Sequence, residues 1–228
     1  MPSVPHILRM RQRRCMIASR NPSGKLGLGI EVILTISLIS ILIALPIAYV
    51  STIRDLPSTE TLPRLLEPPN GLLLHPTQIY DRSGRHILQT VQNPVIEERR
   101  YLPISEKTDP QADEFIADEL VRATISIVDP SFWESPGFVL NITENQPSSS
   151  IAQNLVRAFL LPGEDPSLSH WIRERILAWQ IVNQFGHEKV LEWYLNSQYY
   201  GNLAYGVDSA SQIYFGKPAS ALTLAEAA

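Results

Sequence analysis

Among its 228 residues the chain has a single cysteine, Cys15, so no intrachain disulfide is available and its folded part must be held by burial alone. It shows no internal repeat, no paired Cys or His spacing for zinc, no P-loop and no dinucleotide fingerprint, which sets those chemistries aside. It is also short of positive charge outside its first segment. Residues 1–31 carry six basic side chains (Arg9, Arg11, Arg13, Arg14, Arg20 and Lys25) and one acid, Glu31. That segment is +5 in a chain of net −4, so the remainder is −9, a balance that argues against a nucleic-acid-binding body.

Val32 to Val50 is nineteen residues without a charge, rich in Ile and Leu. At about 1.5 Å per residue, a helix of roughly 20 residues crosses a hydrocarbon core of about 30 Å. A cleaved secretory signal has a shorter apolar core, and a buried soluble helix would show a polar face. The segment therefore predicts a transmembrane signal-anchor at 32–53. The basic tail of 1–31 before it and only Arg54 just after it place the N-terminus in the cytoplasm and the body outside, as a single-pass protein of the cytoplasmic membrane.

Pro57 to Pro69 is rich in Pro, Ser, Thr and charge, and 54–75 reads as a stalk. In HPTQIYDRSGRHILQTV, apolar runs flank the turn composition Asp81, Arg82, Ser83 and Gly84, which predicts a β-hairpin within a linker at 76–108. Asp109 before Pro110 is a helix start, and Phe115, Ile116, Leu120, Ala123 and Ile127 recur at helical spacing up to the Asp129-Pro130 stop. Asp113, Glu114, Asp118 and Glu119 then face water. Further helices are expected from Ser149 to Leu161, from a cap at Ser167 or Ser169 to Phe185, and from His187 to Leu195. Thr223 and Glu226 form a capping box opening a helix that the last residues cut short, so the lobe reads as truncated.

The run LEWYLNSQYYGNLAYGVDSASQIYFGK, Leu191 to Lys217, closely resembles the last motif of the family-51 glycosyltransferases, the peptidoglycan glycosyltransferase domain of class A penicillin-binding proteins and monofunctional transglycosylases. The PTxIYDRxGR pattern from Pro76 and the RRYLPIS run from Arg99 resemble the linker before that domain. The resemblance implies a mainly α fold: a lysozyme-like transferase lobe, partial over 109–228, behind a small β-hairpin linker and one N-terminal transmembrane helix. It also implies polymerisation of lipid II into glycan strands, with no transpeptidase domain in this stretch. The reaction joins an acceptor hydroxyl to the donor's anomeric carbon as undecaprenyl pyrophosphate leaves, so it needs a proton-accepting carboxylate and groups that hold the departing anion.

The family's first motif, E-D-x-x-F-x-x-H-x-G, appears here as VDPSFWESPG. Val128 stands at the position of the proposed base and Ser135 at that of the histidine. Asp129 and Glu134 are the carboxylates near enough in sequence to substitute. The second motif appears as PSSSIAQNLVR, where Ser149, Ser150, Gln153, Asn154 and Arg157 are the implied substrate-binding residues and Arg157 keeps the charge of a pyrophosphate-contacting lysine. The third, R-K-x-x-E, appears as HWIRE: Glu174 is kept as the second catalytic glutamate, while His170 and Trp171 replace the two basic residues and Arg173 offers a nearby cation. On helix composition alone Glu174 belongs to a solvated surface. The Phe138 to Gln146 loop is shorter than the family's, and Tyr194, Tyr199, Tyr200, Tyr205 and Tyr214 read as core and hydrogen-bonding scaffold. No cofactor and no metal ligand set is expected, a divalent cation being left open. The expected partners are the undecaprenyl-pyrophosphate-linked glycan, the membrane and other cell-wall synthesis proteins. A non-catalytic relative that binds lipid-linked glycan or a synthesis partner is the alternative function.

Overall fold

The computed structural model describes residues 22–228 apart from 70, 97–98, 107–108, 113 and 140–148. Most of the basic tail, Asp113, Pro147, Ser148 and most of the Phe138 to Gln146 loop lie outside the described residues. The chain divides into two units, Met1–Arg54 and Asp55–Ala228. The first holds α1, Pro22–Ile53, of which Ile30–Ile53 is apolar and long enough to cross a membrane. Three of its hydroxyls bond within the helix: Thr35 donates to the Val32 carbonyl, and Ser51 and Thr52 both donate to Ala48. Such bonds suit a hydrocarbon environment, since no water is there to accept those protons.

The second unit is mainly helical. It runs through α2 (Thr61–Leu66), a hairpin of β1 (Thr77–Tyr80) and β2 (Ile87–Val91), then α3 (Asp118–Val128), α4 (Ile151–Phe159), α5 (Leu168–Ser197), α6 (Val207–Phe215) and the short α7 (Leu224–Ala227). The hairpin is antiparallel, Thr77 facing Val91 and Tyr80 facing Ile87, with an irregularity between Ile79 and Tyr80. Its turn is organised by Asp81, whose carboxylate accepts from the Ser83 hydroxyl and the Arg85 and His86 amides. Those bonds, the Ser83 hydroxyl first, hold the Asp81 carboxyl below its ordinary range.

The core is built on α5. Leu177, Ala178 and Ile181 of its first half pack with Ile151, Ala152, Leu155 and Val156 of α4, while Val190, Leu191, Trp193 and Leu195 of its second half join the same cluster. Burying each Leu or Ile of this set contributes about 1.5–3 kcal/mol. The two expected helices meet at Gly186, whose φ of 82° breaks α5 between Phe185 and His187. Gly206 begins α6 at φ 81°, and a Cβ there would lie 2.6 Å from the Asn196 carbonyl oxygen, so no other residue fits this turn.

Three sequence expectations give way to tertiary structure. The 54–75 stretch is not a free stalk: its Pro- and Ser-rich composition conceals α2, whose Leu62 and Leu66 are buried in the core. The helix expected from Asp109 begins only at Asp118, because the amides of Ile116 and Ala117 pair with the carbonyls of Pro103 and Ala219 rather than with a helical turn. Ile127, expected on the buried face, is 71% exposed; Ile125 is buried in its place.

Buried polar groups of α5 and α6 fasten these segments. Glu192, fully buried, accepts from the Tyr101 hydroxyl at 2.6 Å, the Ile104 amide at 3.2 Å and Lys189 at 2.7 Å. Asn196 pairs with both the amide and the carbonyl of Leu102, and Asp208 accepts from the Ala219 amide. Burial and then the Glu192 carboxylate push the Tyr101 phenol up; for Lys189 burial works downward, but the bond and charge of Glu192 outweigh it and raise the ammonium. Both groups therefore add stability that is complete below about pH 10 and is lost as the pH rises beyond it. Thermal melts of the chain in detergent should show Tm falling from about pH 10 upward. Tyr101→Phe should lower stability at neutral pH by about 1.5–3 kcal/mol and flatten the alkaline fall; an unchanged alkaline slope in that variant would remove Tyr101 from the account.

Candidate functional site

The residues of the second and third motifs meet where α4 crosses the first half of α5. Ser150 caps α4: its hydroxyl accepts from the Gln153 amide at 3.2 Å, and the Gln153 side-chain oxygen accepts from the Ser150 amide at 3.1 Å, a reciprocal capping box. The Ser150 hydroxyl also donates to the Gly137 carbonyl. Gly137 is required there: its φ is 94°, and a Cβ would fall 2.6 Å from the Ala178 carbonyl oxygen on α5.

Gln153 is buried, and its amide is oriented without ambiguity. The oxygen accepts from two backbone amides, Ser150 and Val139 (2.9 Å), so the nitrogen must face Glu174, to which it donates at 2.7 Å. Glu174, only 4% exposed, is thus a buried residue and not the surface glutamate that helix composition predicts. Arg157 of α4 reaches it with Nε at 3.2 Å from one oxygen and Nη2 at 3.1 Å from both. The Arg157 side chain remains half exposed. A buried carboxylate held by a guanidinium and an amide is well solvated by protein, which is the condition for keeping charge inside a fold.

A second ring of charge surrounds this pair. His170 sits one turn before Glu174 with Nε2 at 3.5 Å from its carboxylate and Nδ1 at 3.2 Å from Glu164. Glu164, from the loop after α4, also binds Arg173 at 2.9 Å, and Arg173 donates to the Asp55 carbonyl. Arg173, expected beside Glu174 as a replacement cation, is instead turned to Glu164. Adjacent helical positions point about 100° apart, which explains the divergence. Arg175 points to the site's other flank: it donates to the carbonyls of Trp171 (3.1 Å) and Val139 (3.0 Å), and its guanidinium stacks 3.6 Å above the Trp171 ring. Neither Glu164 nor Arg175 was singled out by motif reading; the i, i+4 spacing of Trp171 and Arg175 on one helix face is a signal that could have found the latter.

The first-motif carboxylates do not join this network. Asp129 is the C-cap of α3 and 3% exposed; one of its oxygens accepts from Ser131 at 3.2 Å and the other is buried without a partner among the described residues. Val128 packs against the core. Glu134 lies in the exposed turn after Asp129, and no hydrogen bond among the described residues links it or Asp129 to Glu174. Ser149 donates to the Asn154 side-chain oxygen at 2.6 Å, so these two partner each other beside the cap. Among the described residues no three His, Cys, Asp or Glu side chains converge to hold a metal ion.

The tyrosines of the last motif divide. Tyr194 is buried as expected, but Tyr199, Tyr200, Tyr205 and Tyr214 are 55%, 39%, 39% and 49% exposed. Only Tyr214 clearly serves as scaffold, donating to the Tyr200 carbonyl at 2.8 Å; Tyr199 stacks on Tyr205, whose ring also carries Arg99. A cavity of about 660 Å³ nearby is lined by His75, Gln92, Arg99 and Tyr101 and contains none of the motif residues around Glu174.

Against known proteins, residues 97–228 match the transglycosylase family model. The chain is 33% identical over 190 residues to penicillin-binding protein 1A of Rickettsia felis, covering 77% of this chain and 22% of that protein. It is 30% identical over 205 residues to the Aquifex aeolicus penicillin-binding protein 1A (83% and 25% covered) and 34% identical over 165 residues to that of Escherichia coli K12 (67% and 18%). The chain belongs to the transglycosylase family, and it spans about a fifth of the length of these curated relatives.

If the Gln153 amide and Arg157 both hold Glu174, removing the charge should be costly although the site is partly open. Glu174→Gln is expected to lower stability by about 1–3 kcal/mol, below the cost of a fully buried pair because Arg157 is half exposed. Glu134→Gln should stay within about 0.5 kcal/mol. Denaturant titration of both variants decides it; equal small effects would mean that Glu174 is not held as described.

Proposed function

We propose that the chain is the membrane-anchored glycosyltransferase portion of a peptidoglycan polymerase, acting on undecaprenyl-pyrophosphate-linked glycan at the outer face of the cytoplasmic membrane. The observation that carries this reading is the convergence of Gln153, Arg157 and Glu174, residues 21 apart at most in sequence, on one bonded cluster with a half-exposed guanidinium. A half-exposed guanidinium suits the pyrophosphate of a lipid-linked donor, binding it in the ground state and taking up its growing charge as it leaves. Glu174 holds Arg157 in place; both its oxygens already accept hydrogen bonds, which suits it to anchoring a cation more than to removing a proton. The charge asymmetry around α1 supports an extracytoplasmic lobe.

Proton removal is the weak half. Valine at position 128 has no basic atom, Asp129 is buried, and Glu134 stands apart in an exposed turn. A missing general base typically costs about 10²–10⁴ in rate. These observations favour, as a second reading, a relative that keeps the anion cradle, binds the lipid-linked glycan and contributes little polymerisation of its own, working beside other cell-wall synthesis proteins.

Labelled lipid II incubated with the full-length protein separates the two. Slow polymer formation by the wild type, abolished by Arg157→Ala, supports the enzyme. No polymer from the wild type but a gain of at least about 10²-fold over background in Val128→Glu supports the glycan-binding relative. Failure of both proteins to bind or extend lipid II would reject the proposal.

A further inference from the structure

The charge around Glu174 does not balance. Arg157 and Glu174 neutralise one another, and Arg173 is paired with Glu164. Arg175 is left as surplus: among the described residues its partners are the neutral carbonyls of Trp171 and Val139 and the face of the Trp171 ring, with its Nε buried and unpartnered. It is nonetheless part of the same cluster. The Val139 backbone that accepts from Arg175 donates to Gln153, and Gln153 donates to Glu174, so three hydrogen bonds connect the guanidinium to the Arg157 anchor. Burial, above all, draws the Arg175 guanidinium below its ordinary value; Glu174 opposes this and Arg157 adds to it, the mark of two cations in one electrostatic neighbourhood.

We propose that Arg175 is a substrate-binding residue of this chain, supplying the net positive charge that a neutral Arg157–Glu174 pair lacks and forming with Arg157 a two-guanidinium site for a diphosphate group. The proposal rests on the reading of Arg157 as an anion contact. The reason is electrostatic: an approaching diphosphate meets attraction from Arg157 that is offset by Glu174 behind it, and only an uncompensated third charge makes the field favourable. Trp171 is what places that charge. The third-motif position holds an indole instead of a cation, and Arg175, one turn on, lays its guanidinium over that indole. Positive charge thus returns to the flank of the site from a position outside the motif.

The test is calorimetric titration of inorganic pyrophosphate into the full-length protein in detergent, at several salt concentrations. Arg175→Gln is expected to weaken binding on the order of tenfold and to reduce the salt dependence, while Arg175→Lys, which keeps the charge but not the fork, retains most of the affinity. Equal binding by Arg175→Gln and wild type would overturn the proposal. So would equal weakening in the Lys and Gln variants, since the bond to Val139, and not charge, would then be what matters. Arg157→Ala binding as tightly as wild type, with Arg175→Gln still weakened, would reject the role of Arg157 while leaving that of Arg175. A wild-type protein that binds no pyrophosphate would remove both.

Discussion

The Gln153 amide is the contact on which the site depends. One side chain terminates the N-terminus of α4, fastens the backbone at Val139 and grips the Glu174 carboxylate of α5. An amide has a distinct donor end and acceptor end, so two backbone N–H groups on its oxygen leave only one orientation, and that orientation delivers the nitrogen to Glu174. Substituting a hydrophobic residue would leave two buried amides and a carboxylate short of partners at once, each a loss of about 1–3 kcal/mol. Arg157 reaches outward because Glu174 is held inward.

A division of labour follows between two sets of buried polar residues on the same long helix. In the first half of α5, Glu174 binds the half-exposed Arg157; in the second, Glu192 and Asn196 tie the incoming 101–104 segment to the lobe. Glu174 and Glu192 are both nearly or fully buried, yet the first cluster is half open through Arg157. The break at Gly186 separates them, allowing each half to take its own direction. The Glu174 cluster and the Glu192 fastening are thereby carried by one element without sharing residues.

The first motif reads differently once placed. Its phenylalanine and aspartate remain structural: Phe132 is fully buried and stacks edge-on against His187, and Asp129 ends α3. Where a reacting carboxylate would stand, a valine packs on the core. The cluster proposed to hold an anion, with Arg175 stacked on Trp171 at its flank, and the position that would move a proton, filled with hydrocarbon, have thus diverged. Selection for binding an anionic glycan carrier would favour this pattern.

Much of this was legible before any coordinates. The uncharged run after the basic tail, the hairpin turn at Asp81, the cap at Ser167 and the motif order all rest on local chemistry: hydropathy over a fixed length and a side chain bonding an amide a few residues on. Interactions between distant segments were not legible. Ile116 and Ala117 leave the helical pattern because carbonyls of residues 103 and 219 claim their amides, Leu62 and Leu66 leave the stalk because the core accepts them, and Glu174 moves from surface to interior because Gln153 and Arg157 neutralise the cost of burying it. By itself the amino-acid order determined the family, an apolar helix long enough to span a membrane and most of the helices; only the tertiary structure decided that Arg173 turns to Glu164 while Arg175 bonds Val139, whose amide is held by Gln153. Rotation of 100° per residue along α5 sends neighbouring guanidiniums to different partners, and no one-dimensional spacing records which partners wait there.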